Sequence, residues 1–274
     1  MIAFPNAKIN LGLKVHERRP DGFHNLESVF IPLKLVDILE LIKNDKLDDN
    51  KSIFYQSGMR LDASPEQNLV MKAYHLLKSD YDLPPVQIAL HKIVPSGSGL
   101  GGGSSDAASM VLMLDKLFKL GLTPEKKKYY LEILGSDCPF FLSNKISLVR
   151  GRGEIFEPIL LDLKGVFLVI IVPNIMVSTG EAFRQVIPTN SDYLLEEKLK
   201  NPIKEWESTI FNDFEKVIFP KYPVLKEIKT KLYNLGAKYA SLSGSGSSIY
   251  GLFDSEINPH KHFPGLFTWT ERFY

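Results

Sequence analysis

The sequence predicts an α+β protein, because patterns typical of strands and of helices occur in both halves of the chain. Alternating apolar residues over 9–15 and 86–90 indicate half-buried strands, and the apolar run 166–172 has the length of a fully buried strand. Apolar residues at helical spacing over 69–77 and 225–235 indicate amphipathic helices. The sequence contains no low-complexity linker and no internal repeat of the length typical of solenoid proteins.

Length and composition limit the class of protein further. The chain has 274 residues, a hydrophobic fraction of 44% and a formal net charge of +1. These values fit one large or two modest domains, with a core that needs no disulfide or metal for stability. A net charge this close to zero argues against nucleic acid or an anionic membrane as the main partner. Cys138 is the single cysteine, and we read no signal peptide or membrane span, so a cytoplasmic location is expected.

The first predicted strand carries two polar residues of interest. Lys8 and Asn10 alternate with Ile9 and Leu11, so the pattern predicts one buried apolar face and an opposite polar face. Residues 18–22 follow this strand, and their proline, aspartate and glycine predict a turn. Further along the chain, Asn68 precedes an apolar helical run and is a good N-cap.

A glycine-rich loop separates the strand at 86–90 from a helix. It extends from Pro95 to Asp106, and the helical run that follows is expected over 107–120, with Gly121 as its C-terminal stop. Ser104, Ser105 and Asp106 are the N-cap candidates. Thr123 and Pro124 then predict the start of another helix.

The second half of the chain contains another loop rich in glycine and serine. The residue pattern of the sequence changes around 151–153, and we place a weakly marked domain boundary near residue 155. The loop Ser243–Ser248 is expected to follow a helix directly and to precede a strand at 249–253.

A loop dense in glycine brings its backbone N–H groups close to an anion, and a helix that begins directly afterwards adds its own N–H groups and dipole. The alternative is a flexible surface loop, although five glycines within 97–103 are entropically costly without a use. A P-loop is excluded because no lysine lies between Ser96 and Asp115. Gly97, Gly99 and Gly102 match the dinucleotide fingerprint only weakly, so the pattern predicts nucleotide binding and leaves the chemistry open.

Several stretches resemble a known superfamily. Residues 95–108 resemble the second motif of the GHMP kinases, which phosphorylate galactose, homoserine, mevalonate and phosphomevalonate. AlaLysIleAsnLeuGly at 7–12 and AspGlyPheHis at 21–24 resemble a narrower family, the diphosphocytidyl-methylerythritol kinases of the non-mevalonate isoprenoid pathway. Three further stretches agree in order, at 66–70, 134–139 and 242–248, so the resemblance covers nearly the whole chain.

The resemblance implies a two-domain GHMP-kinase fold with the active site in a cleft between the domains. The N-terminal domain, expected over 1–155, would be a ribosomal-protein-S5-domain-2-like nucleotide domain that also carries the catalytic residues. The C-terminal domain, expected over 156–274, would be a ferredoxin-like α/β sandwich on the substrate side. The family transfers the γ-phosphate of ATP to the 2-hydroxyl of its substrate, so ATP and Mg²⁺ are implied. We expect a monomer or weak homodimer.

The resemblance also assigns roles to individual residues of this sequence. Asp137 is the expected base that takes the proton of the acceptor hydroxyl, and Lys8 would orient it. The expected ATP-binding residues are Asn68, Pro95, Ser96, Gly97, Ser98, Gly99, Leu100, Gly101, Gly102, Gly103, Ser104 and Ser105. The expected substrate-binding residues are Asn10, Phe23, His24, Thr179, Phe183, Gly244, Ser245 and Gly246. Ser105, at the start of the helix, is the candidate Mg²⁺ ligand.

This sequence departs from the family pattern at three positions. Phe23 replaces a commoner tyrosine, Ser136 an alanine and Cys138 a valine, but none of these changes removes a reactive group. Without the family, Asp137 would read as a turn aspartate and Lys8 as a solvated lysine at a strand edge. On the same basis, His24 would read as a turn histidine and Phe183 as a core residue.

Other functions remain open at this point. Another kinase of the superfamily is one, although AspGlyPheHis argues against it because a cytidine site has no use there. A nucleotide-binding module without catalysis is the second. A dehydrogenase is the third, and it would need Asp115 as its ribose-binding acid, within a predicted helix and away from a strand end. His260 and His262 lack a third metal ligand and are expected on the surface.

Overall fold

The structure is a computed structural model of the chain, and it describes residues 1–43, 52–59, 64–189 and 193–274. The strands are β1 (Ile2–Ala3), β2 (Asn6–Arg18), β3 (His24–Val36), β4 (Ile38–Lys43), β5 (Ile53–Gly58), β6 (Val86–Lys92), β7 (Ser147–Arg150), β8 (Ile155–Pro158), β9 (Phe167–Val172), β10 (Tyr239–Leu242), β11 (Ile249–Phe253) and β12 (Phe267–Arg272). The helices are α1 (Leu69–Asp80), α2 (Gly102–Phe118), α3 (Pro124–Leu134), α4 (Phe140–Ser143), α5 (Thr179–Gln185), α6 (Leu195–Leu199), α7 (Glu215–Lys221), α8 (Pro223–Asn234) and α9 (Pro259–His262). Among the described helices, none is long and apolar enough to cross a membrane.

The chain divides into two compact units, each built from separate stretches of sequence. The first unit contains Met1–Lys8, Pro32–Ser96 and Gly101–Lys145. The second unit contains Ile9–Ile31, Gly97–Leu100 and Ile146–Tyr274. The predicted boundary near residue 155 divides the chain differently, because 9–31 and 97–100 group here with the C-terminal part.

In the first unit, α2 packs on a four-stranded sheet with the order β1-β4-β6-β5, and α1 and α3 pack against α2. Strand β4 is antiparallel to β6, with Leu39 opposite Leu90, and β5 is parallel to β6. The alternation predicted for β6 is confirmed, because Val86, Ile88 and Leu90 are all buried. Asn68 caps α1 as expected, since its side-chain oxygen accepts the N–H of Val70 at 2.9 Å.

The helix after the glycine-rich loop starts earlier than the sequence predicts. Helix α2 begins at Gly102, with Gly101 as its N-cap, so Ser104, Ser105 and Asp106 lie inside its first turns and are not N-caps. The expectation was wrong because serine and aspartate are strong capping residues, whereas here Gly101 adopts the left-handed conformation with φ 70°. The helix also ends before Gly121, since Lys119 already takes a left-handed conformation.

The second unit contains two four-stranded sheets, with the orders β2-β3-β7-β8 and β10-β11-β9-β12. The predicted strand at 166–172 is confirmed as β9, which pairs antiparallel with β11 on one side and β12 on the other. The apolar face of α8, including Leu225, Ile228 and Leu232, joins the core with residues of β9, β10 and β11. This packing supplies the burial that the helical spacing predicts.

Two expectations about this unit and its strands need correction. The loop at 243–248 does not follow a helix directly, because β10 precedes it and the loop joins two antiparallel strands. Strand β2 was expected to have one buried face, yet it is buried on both faces from Ala7 to Leu13. Lys8 and Asn10 are 2% and 3% exposed, because both find polar partners, and the stem of Lys8 also packs on Gly101, out of solvent.

Candidate functional site

In the first unit, the structure brings together the two residues expected to be catalytic. The Nζ atom of Lys8 lies 3.1 Å from Oδ2 of Asp137, within salt-bridge distance. The Lys8 side chain is 3% exposed and that of Asp137 is 37% exposed. A buried ammonium therefore orients a carboxylate that solvent, or a ligand hydroxyl, can reach.

A tight turn presents Asp137 after the end of α3. The N–H of Cys138 donates to the carbonyl of Gly135 at 3.1 Å, and the Cys138 side chain is fully buried below the turn. Burial raises the pKa of the Cys138 thiol to about 12, although a hydrogen bond with Ser104 opposes the shift. The thiol is therefore protonated at neutral pH, and its contribution is to pack the turn that carries Asp137.

The N-terminus of α2 lies next to Lys8 in the same unit. A Cβ atom on Gly101 would come within 3.0 Å of the Cγ and Cε atoms of Lys8, so glycine at this position permits the close packing. The N–H of Ser105 donates to the carbonyl of Gly101 at 3.0 Å, and the N–H groups before it have no partner within the helix. Gly103 is exposed, and a Cβ there would be no closer than 3.7 Å to its nearest neighbour. This end of α2 can accept an anion.

In the second unit, the first part of the glycine-rich loop packs against the loop at 243–248. The N–H of Ser248 donates to the carbonyl of Ser98 at 2.9 Å, and the Ser243 hydroxyl donates to the carbonyl of Gly99 at the same distance. A Cβ on Gly99 would lie 2.0 Å from the Ser243 carbonyl oxygen. Glycine at position 99 is therefore required by this loop–loop contact, whatever ligand binds.

Asn10 is hydrogen-bonded to the loop at 243–248 and to β3. Its backbone N–H donates to the Ser243 hydroxyl at 3.1 Å, and its side-chain nitrogen donates to the Ser28 hydroxyl at 3.2 Å. Asn212, which the sequence analysis missed, donates to the carbonyls of Leu242 and Gly244 at 2.9 and 2.8 Å. Asn212 thus fixes the backbone of the second loop, and no local motif in the sequence indicated it.

Two residues expected at the substrate site form an aromatic pair in the second unit. The rings of His24 and Phe183 stack with centroids 5.5 Å apart at 20°. Phe183 also meets Phe214 edge-on at 4.8 Å. Burial, together with the charge of Arg18, lowers the pKa of His24, so the ring is neutral at pH 7. A neutral imidazole both donates and accepts hydrogen bonds.

The other predicted substrate residues are placed in two different environments of this unit. Thr179, at the start of α5, shares a hydrogen bond of 2.8 Å with the Ser245 hydroxyl, which links the helix to the second loop. Phe23 is 48% exposed, and its ring contacts the guanidinium of Arg152 at 5.0 Å. Arg152, which the sequence analysis did not single out, therefore supports this half-exposed ring.

The residues in the first unit offer few ligands for a metal ion. Ser105 is 1% exposed on the first turn of α2, and no group of three or more His, Cys, Asp or Glu side chains converges within the described ranges. Hydroxyl and carboxylate oxygens are suitable Mg²⁺ ligands, but they are too few here for a closed site. The donor set fits an ion that is held mainly by nucleotide phosphates.

Comparison with known proteins defines the class. A family model described as the GHMP kinases N terminal domain matches residues 68–145, and the GHMP kinases C terminal model matches residues 194–261. The first match contains the glycine-rich loop and Asp137, and the second contains the loop at 243–248. The fold and these motifs define an ATP-dependent small-molecule kinase of the GHMP class.

Full-length relatives narrow the assignment. A 4-diphosphocytidyl-2-C-methyl-D-erythritol kinase of Bacteroides fragilis is 53% identical over 93% of this chain and 93% of its own. A kinase of the same name from Bacteroides thetaiotaomicron is 51% identical with the same coverage. The chain belongs to the 4-diphosphocytidyl-2-C-methyl-D-erythritol kinase family.

Solved structures agree with this assignment. The crystal structure of a 4-(cytidine 5'-diphospho)-2C-methyl-D-erythritol kinase superimposes with a TM-score of 0.80, at 31% identity, over 98% of both chains. A homoserine kinase from Cytophaga hutchinsonii, at 19% identity, has a TM-score of 0.64, and this likeness concerns the fold alone. The expected α+β two-domain GHMP-kinase fold is thereby confirmed.

Proposed function

We propose that this chain transfers the γ-phosphoryl group of ATP to the 2-hydroxyl of 4-diphosphocytidyl-2-C-methyl-D-erythritol, a step in isoprenoid precursor synthesis. The observation that carries the proposal is the Lys8–Asp137 pair at 3.1 Å, in a chain that is 53% identical to a kinase of that name. The pair supplies what an attacking alcohol needs, a carboxylate held in one orientation at an accessible place.

The chemistry divides between Asp137 and Lys8. Asp137 accepts the proton of the substrate hydroxyl while the hydroxyl oxygen bonds to the γ-phosphorus, and the bond from that phosphorus to the β–γ bridging oxygen breaks to release ADP. The proton transfer contributes a gain on the order of 100- to 10,000-fold. Lys8 keeps the carboxylate oriented through the 3.1 Å contact of its Nζ atom with Oδ2. Because phosphoryl transfer depends mainly on positioning and charge stabilisation, the N–H groups at the start of α2 serve the nucleotide phosphates. Asn68 and the loop from Pro95 to Ser105 complete the proposed nucleotide site.

The second unit would recognise the cytidine end of the substrate. In this proposal, His24 would hydrogen-bond the cytosine edge, and the aromatic faces of Phe23 and Phe183 would stack on the ring. The hydrogen bonds of Asn10 and Thr179 to the serines of the second loop support a substrate site at that loop. Gly244, Ser245 and Gly246 belong to it under this proposal.

Mg²⁺ enters the proposal as the ion that accompanies ATP. When bound, it neutralises charge on the β and γ phosphates. Ser105 is the hydroxyl that would contribute a protein ligand, and the phosphates themselves would supply the others.

Three further expectations concern the domain boundary, the location in the cell and the oligomeric state. The two family models match on either side of residue 155, which supports an ATP-binding domain over 1–155 and a substrate-side domain over 156–274. We place the enzyme in the cytoplasm, where a single buried cysteine stays reduced. A monomer or weak homodimer remains the expected oligomeric state.

An ADP-release assay with Mg-ATP tests the function directly. The acceptors are diphosphocytidyl-methylerythritol, mevalonate, phosphomevalonate, homoserine and galactose. Turnover with the cytidine substrate and none of the others is the expected result. Turnover with a different acceptor would support the assignment as a kinase and refute the proposed cytidine site. No turnover from a protein that binds ATP would indicate a non-catalytic module.

The substitution Asp137→Asn isolates the base. It keeps the size of the side chain and removes its capacity to take a proton, so kcat should fall by about 100-fold or more while ATP still binds. Glu132→Gln is the matched control, because Glu132 forms a partly exposed pair with Lys128 at 3.6 Å on the helix that precedes the turn. Equal kcat in the two variants would remove Asp137 as the base.

A further inference from the structure

Three charged side chains are buried together in the first unit, next to the ends of the glycine-rich loop. Lys92 is the last residue of β6, Asp37 directly precedes β4, and Asp106 lies on α2. All three are at most 3% exposed. Nζ of Lys92 is hydrogen-bonded to Oδ2 of Asp37 and lies 2.8 Å from Oδ2 of Asp106. We refer to these three residues as the lysine clasp.

The lysine clasp joins the chain that enters the loop to the helix that leaves it. Oδ1 of Asp37 accepts the N–H groups of Ile93 at 2.6 Å and Val94 at 2.9 Å, just before the loop begins. The Lys92–Asp106 contact then ties this entering segment to the second turn of α2. Both ends of the loop are therefore held by one buried ammonium.

Packing at the same place leaves little freedom. A Cβ on Gly102 would lie 2.9 Å from Cγ1 of Val94 and 3.2 Å from Nζ of Lys92. The start of α2 thus lies directly against the entering strand and against the lysine. A shift of the clasp would move the first N–H groups of the helix.

Stability does not account for the clasp. Oδ1 of Asp106 is buried without a hydrogen-bond partner in the part of the chain that the structure describes, and such an atom costs free energy. Buried ion pairs are often no more stabilising than apolar residues of similar volume. Three buried ionisable groups with an unsatisfied oxygen therefore point to a role in placing neighbouring groups.

We propose that Lys92, Asp37 and Asp106 are positioning residues for the nucleotide, and that they hold the start of α2 so that its N–H groups are aligned for the phosphates before ATP arrives. This inference rests on the proposed function, because it assumes that the loop binds ATP. The three side chains act through the backbone of the loop and do not touch the nucleotide. Prior alignment lowers the ordering cost of binding.

The test is Asp106→Asn in the full chain. Asparagine has nearly the same size, and at pH 8, where Asp106 with its pKa of about 7 is ionised, it replaces a charged ligand of Lys92 with a neutral one. ATP affinity, measured by calorimetry, should fall by about 10-fold. The KM for diphosphocytidyl-methylerythritol should change by less than about twofold, because the substrate's own contacts are untouched.

Asp115→Asn is the matched control. Asp115 lies on the same helix α2 and pairs with Lys127 at 2.8 Å, at the end of the helix away from the loop. The same chemical change there should leave ATP affinity within twofold of the wild type. Thermal unfolding of both variants separates loss of stability from loss of alignment. If Asp106→Asn does not fold, Asp37→Asn provides the same comparison, since asparagine can still accept from Ile93 and Val94.

Each outcome decides a different claim. Equal ATP affinities in Asp106→Asn and Asp115→Asn, in a wild type that binds ATP, would overturn the clasp and leave the proposed function intact. A similar increase in the constants for both substrates, or failure of both clasp variants to fold, would make the clasp a structural element and overturn the inference. A wild type that binds no ATP would refute the proposed function, and the clasp with it.

Discussion

Two adjacent glycines at the start of α2 provide a sharp test of the phosphate site. Gly102 and Gly103 both lie in the first turn of the helix, but their surroundings are opposite. A Cβ on Gly102 would be 2.9 Å from Val94, whereas a Cβ on Gly103 would be 3.7 Å from Leu69. The same substitution to alanine should therefore have opposite effects on stability at these two positions.

The magnitudes follow from packing and helix propensity. Gly103→Ala gains roughly 0.5–1 kcal/mol because alanine restricts the unfolded chain more than glycine does, which raises Tm by about 1–3 °C. Gly102→Ala gains the same amount but overpacks against Val94 at a cost of about 1–3 kcal/mol. The net loss of up to about 2.5 kcal/mol should lower its Tm by up to several degrees.

Nucleotide binding should respond differently from stability. The new methyl group of Gly103→Ala meets Leu69 at an ordinary van der Waals distance and stands at the exposed start of the helix, where we expect it to obstruct an approaching phosphate. Losing one charge-assisted hydrogen bond costs about 1.5–3 kcal/mol, so ATP affinity should fall by roughly 10- to 100-fold. Calorimetry measures the affinity, and differential scanning calorimetry measures Tm. A stabilised Gly103→Ala variant that binds ATP as tightly as the wild type would refute the helix N-terminus as the phosphate site.

Three further predictions concern other residues. His24→Ala should raise the KM for the cytidine substrate by about 10-fold and leave the KM for ATP nearly unchanged. His260→Ala is the control, because His260 is an exposed histidine of the second unit. Equal changes in both KM values would mean that the role of His24 is structural. Because burial raises the pKa of Cys138 to about 12, iodoacetamide at pH 8 should not alkylate the native protein, and rapid labelling seen by mass spectrometry would contradict this. Burial also raises the pKa of Asp106 to about 7, so its proton stabilises the folded state below pH 4 and this contribution is lost as the pH rises to 7. Urea unfolding at pH 5 and pH 8 should therefore show the Asp106→Asn variant gaining stability relative to the wild type at the higher pH, and a pH-independent difference would contradict the assigned shift.

Local structure was predictable where neighbouring residues determine it. Asn68 caps α1 because its side chain reaches an N–H group only two residues away. The alternation of β6 and the apolar run of β9 predicted their strands, because side-chain direction in a strand has a period of two. The start of α2 was misplaced, because capping preference favoured the serines and aspartate whereas Gly101 takes the cap position.

The burial of Lys92 in the lysine clasp could have been predicted from the sequence, although the sequence analysis did not predict it. Lys92 continues the buried face of β6, two residues after Leu90, so its position already predicted burial. The sequence could not indicate its partners. Asp37 and Asp106 are 55 and 14 residues away from it, and both contacts depend on how the sheet and α2 pack.

The sequence by itself determined the class, the family motifs and the identity of the candidate residues, because the chemistry of a glycine-rich loop, a lysine and an aspartate is carried by short stretches of chain. Only the tertiary structure placed Lys8 at 3.1 Å from Asp137, stacked His24 on Phe183 and buried the polar face of β2. These contacts join residues that are far apart in the chain. Their distances depend on the packing of whole elements, which no local pattern specifies.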